Sequence, residues 1–352
     1  MSERRYIHEL VPNSVPLHLA KSLPQASGHG GRVHILALGD VGATLLLGLK
    51  VLGGGTIDTI GIFDVNEKVM ARYEMEMNQM GWAFEEWDQQ ACDQESCDQE
   101  ACDGALGTAM LPQVEILTED RLFDCDLFLF CASKAIPAIG VKGDVRMMQF
   151  DANRQIVEHF ARKAGAAGYK GIFAVVSDPV DPLCKAALLA SGLQPAQIRG
   201  YGLGVMNRRA VYFSRKEEKM ASYATEGRAY GPHGSDLVIA NSIEHYDDQL
   251  SRQLTRLTVE ANLAVRDLGF KPYLAPAISS GAMSVLRTLQ GQWHYSSVYL
   301  GEAPAGTLQA RGAFLGIRNR IVGMNLEYED LPLPQELFER IQTAYDNLCG
   351  II

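Results

Sequence analysis

From Val33 onward the chain alternates short apolar runs with longer stretches in which apolar residues recur every three or four positions. The short runs are rich in Val, Ile, Leu and Phe and are bounded by Gly, Asp or Ser, which predicts buried strands. These strands are expected at 33–38, 59–63, 114–117, 127–131 and 171–176. The longer stretches predict helices at 43–52, 67–79, 150–166 and 182–191. This alternation predicts an α/β fold with a doubly wound parallel sheet.

The pattern changes after Pro182, where a helix leads to a Gly-rich segment and then to a mixed α+β half. We therefore predict an N-terminal arm over 1–31, a nucleotide-binding domain over 32–183 and a catalytic domain over 184–352. The arm carries charged residues and prolines and lacks the apolar core of a signal peptide, so we expect a cytoplasmic protein. We expect the arm to lie outside the folded core, against a neighbouring subunit.

Charge and composition narrow the classes of partner. A formal net charge of −10 over 352 residues disfavours binding to a nucleic-acid backbone, and no basic patch offsets it. We therefore expect no nucleic-acid partner. Charged residues also interrupt the longest apolar runs, so we expect no membrane span. The expected partner is a small molecule.

Seven cysteines, an odd number, make a disulfide framework improbable in a chain without an export signal. Cys92, Cys97 and Cys102 recur every five residues in an acidic insertion at about 88–104. A metal or redox cluster is one interpretation, since thiolates and carboxylates lie close together. No CxxC or Cys/His pair with zinc spacing occurs there, so we favour a duplicated acidic surface loop and expect no metal.

A dinucleotide motif, Ala37-x-Gly39-x-x-Gly42, follows the first predicted strand and opens the first predicted helix. Gly39 lets the backbone approach a pyrophosphate, and Gly42 lets the helix pack on the strand. Asp40 and Val41 lie at the helix N-terminus, where free N–H groups and the helix dipole attract phosphate. Ala37 replaces the first glycine of the usual motif, which strains the turn. This context predicts a Rossmann-type domain.

The second predicted strand ends in Asp64, which lies where a carboxylate binds the ribose hydroxyls of NAD. The same carboxylate would repel a 2′-phosphate, and no Arg follows it, so NAD is favoured over NADP. The alternative is a glycine turn and an N-capping aspartate in an unrelated α/β fold.

Beyond these motifs the sequence resembles the lactate/malate dehydrogenase family from about Arg32 to the C-terminus. The resemblance rests on Phe130-Cys131-Ala132-Ser133, on Arg146 with Asn153 seven residues later, on Ser177-Asp178-Pro179-Val180-Asp181-Pro182, on Gly200 to Arg209, on Gly231-Pro232-His233-Gly234-Ser235 and on Tyr273 to Ser280. It implies cofactor contacts from Ala132, Asn153 and Ser177. It also implies a homodimer or homotetramer.

The resemblance further implies a catalytic histidine, His233, whose reference pKa near 6.5 suits proton exchange with a hydroxyl or carbonyl oxygen. Arg209 would bind the substrate carboxylate in a bidentate pair, with its neighbour Arg208 a structural or surface charge. Arg146, on a mobile loop, would close over the substrate and polarise its carbonyl. Taken alone, His233 could be a surface histidine and Arg146 a solvated helix-start arginine.

Three departures from the family pattern affect the substrate end. The aspartate that orients the histidine falls on Met206, and a thioether cannot accept a strong hydrogen bond. Asp178 replaces an asparagine, so it can accept but not donate when ionised. The loop before Arg146 lacks an Arg or Gln at the specificity position, which disfavours malate. Lys142 is the remaining cation there.

We interpret Asp178 as a replacement for the missing carboxylate, pairing with His233. The predicted function is an NAD-dependent dehydrogenase of a small 2-hydroxy or 2-oxo acid. Two alternatives remain open. One is an NAD(H)-binding protein with impaired catalysis, and the other is a dehydrogenase of an amino or imino acid, whose N–H an ionised Asp178 would accept.

Overall fold

The computed structural model describes residues 4–24, 30–81, 111–134, 149–234, 236–302 and 312–352. Its strands are β1 Arg4–Arg5, β2 Gly31–Leu36, β3 Ile57–Phe63, β4 Gln113–Ile116, β5 Leu127–Phe130, β6 Ile172–Val175, β7 Ile198–Gly200, β8 Arg228–Tyr230, β9 Val238–Ala240, β10 His294–Gly301, β11 Gly312–Val322, β12 Asn325–Tyr328 and β13 Leu333–Pro334. Its α-helices are α1 Asp40–Leu52, α2 Glu67–Asn78, α3 Phe150–Ala166, α4 Val180–Ser191, α5 Leu203–Ser214, α6 Tyr223–Glu226, α7 Asp248–Asp267, α8 Met283–Leu289 and α9 Gln335–Cys349. A π-helical segment, Pro276–Ala282, leads into α8.

Among the described residues, nine strands form the central sheet in the order β12-β11-β10-β7-β6-β5-β2-β3-β4. The six from β4 to β7 are parallel, and β10 joins them antiparallel through the pairing of Ser297 with Gly200. From β2 the chain adds β3 and β4 on one side and then β5 on the other side. The strand order therefore reverses between β2 and β5. This is the doubly wound arrangement that the sequence predicts, and ligands bind at such a switch point.

The parallel strands are buried because their side chains are apolar on both faces. All four residues of β5, Leu127–Phe130, and all four of β6, Ile172–Val175, are buried, as expected for strands covered by helices on both sides. Phe128 and Phe173 on these neighbouring strands pack with ring centroids 5.0 Å apart. The predicted strands and helices are thus confirmed, with ends that coincide or differ by up to three residues.

The chain after residue 183 is joined to the chain before it by the same sheet. The sixth parallel strand, β7, and the antiparallel strands β10 to β12 all come from this part of the sequence. A second apolar cluster, which includes Leu203, Met206 and Leu254, lies between α5 and α7. The domain boundary near 183 stays a prediction.

The described part of the N-terminal arm, residues 4–24, packs on its own chain. Strand β1 pairs with β13, Ile7 is buried, and the Arg5 guanidinium lies 4.3 Å from the ring centre of Phe338. These residues therefore belong to the folded core and do not lie outside it, and contact of the arm with a neighbouring subunit stays a prediction. Buried apolar side chains in the arm, such as Val11 and Leu19, supply the burial that holds it there.

The acidic insertion at 88–104, with Cys92, Cys97 and Cys102, lies outside the described residues. No helix in the described part of the chain is long and apolar enough to cross a membrane.

Candidate active site

A cavity of about 590 Å³ opens at the carboxyl ends of the parallel strands. Its walls come from the loop after β2, the ends of β5 and β6, helix α5, the His233 loop and the last turns of α7. The sheet brings these segments together because parallel strands all end at the same edge.

The dinucleotide motif forms one end of this cavity, with Ala37, Gly39, Asp40 and Val41 in the wall. Ala37 has φ of +74°, the left-handed conformation that glycine adopts readily. A Cβ on Gly42 would lie 2.0 Å from the carbonyl oxygen of Ala37, so only glycine allows α1 to start this close to the strand. The motif therefore has the close packing and the open helix N-terminus that a dinucleotide pyrophosphate requires.

Asp64 follows β3 and is fixed by backbone donors. Its carboxylate accepts the N–H of Leu38 at 2.8 Å and that of Asn66 at 2.9 Å. The first contact ties the end of β3 to the glycine loop, which places a carboxylate beside the loop, as NAD binding requires.

Asn153 and Ser177 connect the loops that follow β5 and β6. The buried Asn153 accepts the N–H of Lys134 at 2.7 Å and donates to the carbonyl of Asp178 at 2.8 Å. Ser177 lines the cavity and donates to the carbonyl of Ala132 at 2.7 Å. In this structure the Asn153 side chain and the Ala132 carbonyl hold the two loops in place.

His233 and Asp178 meet at the other end of the cavity, and both line it. The Nδ1 atom of His233 lies 3.1 Å from Oδ1 of Asp178. The histidine side chain is 9% exposed and the aspartate 34%, so the ring is largely shielded from water while the carboxylate is partly exposed. A Cβ on Gly202 would lie 2.8 Å from Cβ of His233, which shows that glycine leaves the room this histidine occupies.

Helix α5 separates the roles of two adjacent arginines. Arg209 lines the cavity, whereas Arg208 is exposed and lies away from it. Met206, one turn earlier, is fully buried, and the Arg209 guanidinium lies 3.5 Å from its sulfur. Position 206 therefore supplies packing to this helix, and the carboxylate beside His233 is that of Asp178.

A second carboxylate, Asp181, lies behind the histidine. It is 3% exposed, accepts the hydroxyl of Ser297 at 2.5 Å and accepts the backbone N–H of His233 at 3.4 Å. Burial raises the pKa of Asp181 to about 7, and the nearby Asp178 adds to this, against the lowering effect of the Ser297 and His233 hydrogen bonds. The sequence motif contains Asp181, yet its partner Ser297 is 116 residues away, so its role was not predictable.

Helix α7 supplies wall residues that the sequence did not identify. Val259, Asn262, Leu263 and Arg266 face the cavity, at the i, i+3, i+4 and i+7 spacing of one helical face. In the loop that follows, Lys271 also lines the cavity and pairs with Asp40 at 2.8 Å. The spacing on α7 could have indicated a common face, but not that this face borders the site.

Arg146, predicted to close over the substrate, lies outside the described residues, as does Lys142, the other cation of this loop. Gln149, just after this loop, is buried and lines the cavity.

None of the known protein-family profiles matches the chain. The L-lactate dehydrogenase of Corynebacterium glutamicum (strain R) is 24% identical over 231 residues, which are 64% of this chain and 63% of that protein. The L-lactate dehydrogenase of Treponema denticola is 26% identical over 205 residues, 58% of this chain and 55% of that protein. The chain thus matches less than two thirds of the length of these relatives.

Solved structures show the same fold over nearly the whole chain. The minor L-lactate dehydrogenase from Enterococcus mundtii has a TM-score of 0.68 at 18% identity and covers 91% of this chain and 97% of its own. The malate dehydrogenase from Aeropyrum pernix has a TM-score of 0.67 at 16% identity and covers 90% of this chain and 96% of its own. The chain therefore has the fold of lactate and malate dehydrogenases and is similar in sequence to L-lactate dehydrogenases over part of its length.

Proposed function

We propose that the protein is an NAD-dependent oxidoreductase that interconverts a small 2-hydroxy acid and the corresponding 2-oxo acid. The observation that carries the proposal is the pair of His233 with Asp178 in a cavity whose wall also holds Arg209. An acid/base group, a carboxylate that orients it and a cation for the substrate are the parts that this reaction needs.

The residues at the other end of the cavity fit NAD. Gly39 and Val41 present the N-terminus of α1 to a pyrophosphate, and Gly42 allows the close approach. Asp64, tied to the glycine loop by the Leu38 amide, would bind the ribose hydroxyls. NAD held by these residues would supply the hydride acceptor for the hydroxy acid, and NADH the hydride donor for the oxo acid.

His233 holds and moves the proton that accompanies this transfer. Because the carboxylate of Asp178 can only accept, the bond to Nδ1 favours the ring forms that carry a proton there. Nε2 is then the nitrogen that exchanges a proton with the substrate oxygen. The negative charge of Asp178 also stabilises the imidazolium that forms when the hydroxy acid is oxidised.

Arg209 binds the substrate carboxylate, since its planar guanidinium matches two carboxylate oxygens. By resemblance to the family, Arg146 would close over the substrate and polarise its carbonyl. Arg266, on the α7 wall, adds a second guanidinium to the cavity. Acids with a second anionic group therefore belong in any substrate test beside lactate-like and branched acids.

The test is turnover of NADH, followed by its absorbance, with a panel of 2-oxo acids that carry one or two carboxylates. Oxidation of NADH by at least one acid, abolished in His233→Gln, is the expected result. Tight NADH binding without turnover of any acid would contradict the proposed dehydrogenase activity and favour an NADH-binding protein with impaired catalysis. Turnover that requires ammonia or an amine would instead favour an imino-acid substrate.

We further propose a homodimer or homotetramer in the cytoplasm. Sedimentation equilibrium of the full chain measures the first part directly.

A further inference from the structure

His233 contacts two carboxylates that belong to one turn of the chain. Asp178 meets its ring at Nδ1, and Asp181, three residues later in the first turn of α4, accepts its backbone N–H. The two contacts act on different parts of the residue. One orients the imidazole, and the other fixes the main chain that carries it.

Asp181 is itself fixed by Ser297 on the antiparallel strand β10. The serine hydroxyl donates to Oδ1 at 2.5 Å, and both side chains are buried. Ser297 pairs with Gly200 in the sheet, where a Cβ on the glycine would lie 2.9 Å from Cβ of the serine. The contacts therefore run from the edge of the parallel sheet, through Asp181, to the histidine loop.

Burial of the Asp181 carboxylate costs free energy, so packing alone does not explain its presence. A carboxylate in a buried site is disfavoured, and here a second carboxylate, Asp178, lies on the same turn. Cys184, one turn further along α4, and His233 are titratable groups that also lie close to Asp181. An amide or an apolar residue would fill this space at lower cost if packing alone were required.

We propose that Asp181 is a positioning residue which, held by Ser297, keeps the main chain of His233 where its ring bonds to Asp178. The proposal rests on the proposed function for its catalytic meaning, but not for its test. Loss of the serine hydroxyl frees Oδ1 of Asp181, loosens the bond to the His233 amide and lets the ring move away from Asp178.

The test is an NMR titration of the His233 ring signal, assigned by its loss in His233→Gln, in full-length protein without substrate. In Ser297→Ala the midpoint should move to lower pH by about 0.5 pH units or more, because the imidazolium loses part of its carboxylate partner. Asp178→Asn gives the full effect for comparison. Ser214→Ala removes a buried hydroxyl elsewhere, on α5, and controls for general loosening of the fold. It should leave the midpoint unchanged.

If turnover is found, Ser297→Ala should also lower kcat by about tenfold while NADH binding stays within twofold of wild type. The alkaline limb of the kcat/KM profile should move in the same direction as the NMR midpoint. An unchanged midpoint in folded Ser297→Ala would overturn the positioning role, whatever the activity. A moved midpoint in a protein that turns over no acid would keep this inference and reject the proposed function.

Discussion

At the level of single residues, the carboxylate beside His233 comes from the turn after β6 and not from helix α5. Position 206 lies in the apolar cluster between α5 and α7, where Met206 is fully buried. A carboxylate there would be removed from water on all sides, at a cost of several kcal/mol before pairing. Asp178 is 34% exposed, so it offers the same charge at a smaller desolvation cost.

This exchange predicts the effect of Asp178→Asn. The amide keeps the shape but loses the charge that stabilises the imidazolium, so kcat should fall by about 10²- to 10³-fold. Steady-state kinetics with the best acid from the panel measures this, with Arg208→Gln as a control on the exposed side of α5. Near-normal kcat in Asp178→Asn would show that Asp178 does not replace the carboxylate missing at position 206.

The buried Asp181 predicts a pH dependence of stability. Its pKa is raised to about 7 by burial, from an ordinary 3.8. Between these values the folded protein holds a proton that the unfolded chain has lost, so this group makes folding less favourable as pH rises from about 4 to about 7. In Asp181→Asn the free energy of unfolding should fall less between pH 5 and pH 8, by about 2 kcal/mol.

Urea unfolding of both proteins at the two pH values measures the difference. Parallel behaviour of wild type and Asp181→Asn would show that the buried carboxyl does not titrate in this range.

At the level of elements, the turn from β2 into α1 places one residue, Ala37, in a backbone conformation that is unfavourable for alanine. Ala37 takes the left-handed conformation, at φ +74°, in which an L-residue is strained. The turn is kept because α1 must begin beside the strand, where Gly42 packs against the Ala37 carbonyl. The close approach of the helix to the strand thus outweighs the local strain.

Ala37→Gly should therefore stabilise the protein by about 0.5–1 kcal/mol, the strain relieved less the added entropy of the unfolded chain. Ala43→Gly, inside α1 where the backbone is helical, should destabilise by a similar amount and is the matched control. Denaturant unfolding of both variants gives the comparison. Destabilisation by both would show that the turn carries no strain at Ala37.

At the level of the whole molecule, the cavity depends on contacts between distant parts of the chain. Asp40, at the N-terminus of α1, pairs with Lys271, which is 231 residues later. Both are exposed, so the pair adds little to stability. Its effect is electrostatic, because Lys271 offsets a negative charge at the helix end where the cofactor pyrophosphate is expected.

Lys271→Gln should weaken NADH binding by about three- to tenfold at low ionic strength, and less at high salt. The double variant Asp40→Asn with Lys271→Gln should return the affinity to near wild type, since both charges are then gone. Fluorescence titration with NADH measures all three proteins, with Lys219→Gln on the surface as the control. A double variant no tighter than Lys271→Gln would show that Lys271 does not act by offsetting Asp40.

The sequence by itself determined the parallel strands, the helices between them and the dinucleotide motif. These features follow from local periodicity and from glycine positions, which short segments contain in full. Arg209, His233 and Asp178 became candidates because short motifs around them resemble the lactate/malate dehydrogenase family. The exchange of carboxylates was also open to inference, because the resemblance implies an asparagine at position 178 and an aspartate at position 206.

Only the tertiary structure decided which of these groups meet. The bond between His233 and Asp178, the link through Ser297 to Asp181 and the pair of Asp40 with Lys271 join residues 55 to 231 positions apart. The α7 wall and the packing of the arm on its own chain belong to the same class. Such contacts depend on how the helices and strands pack against one another, and no local sequence pattern predicts which distant residues will meet.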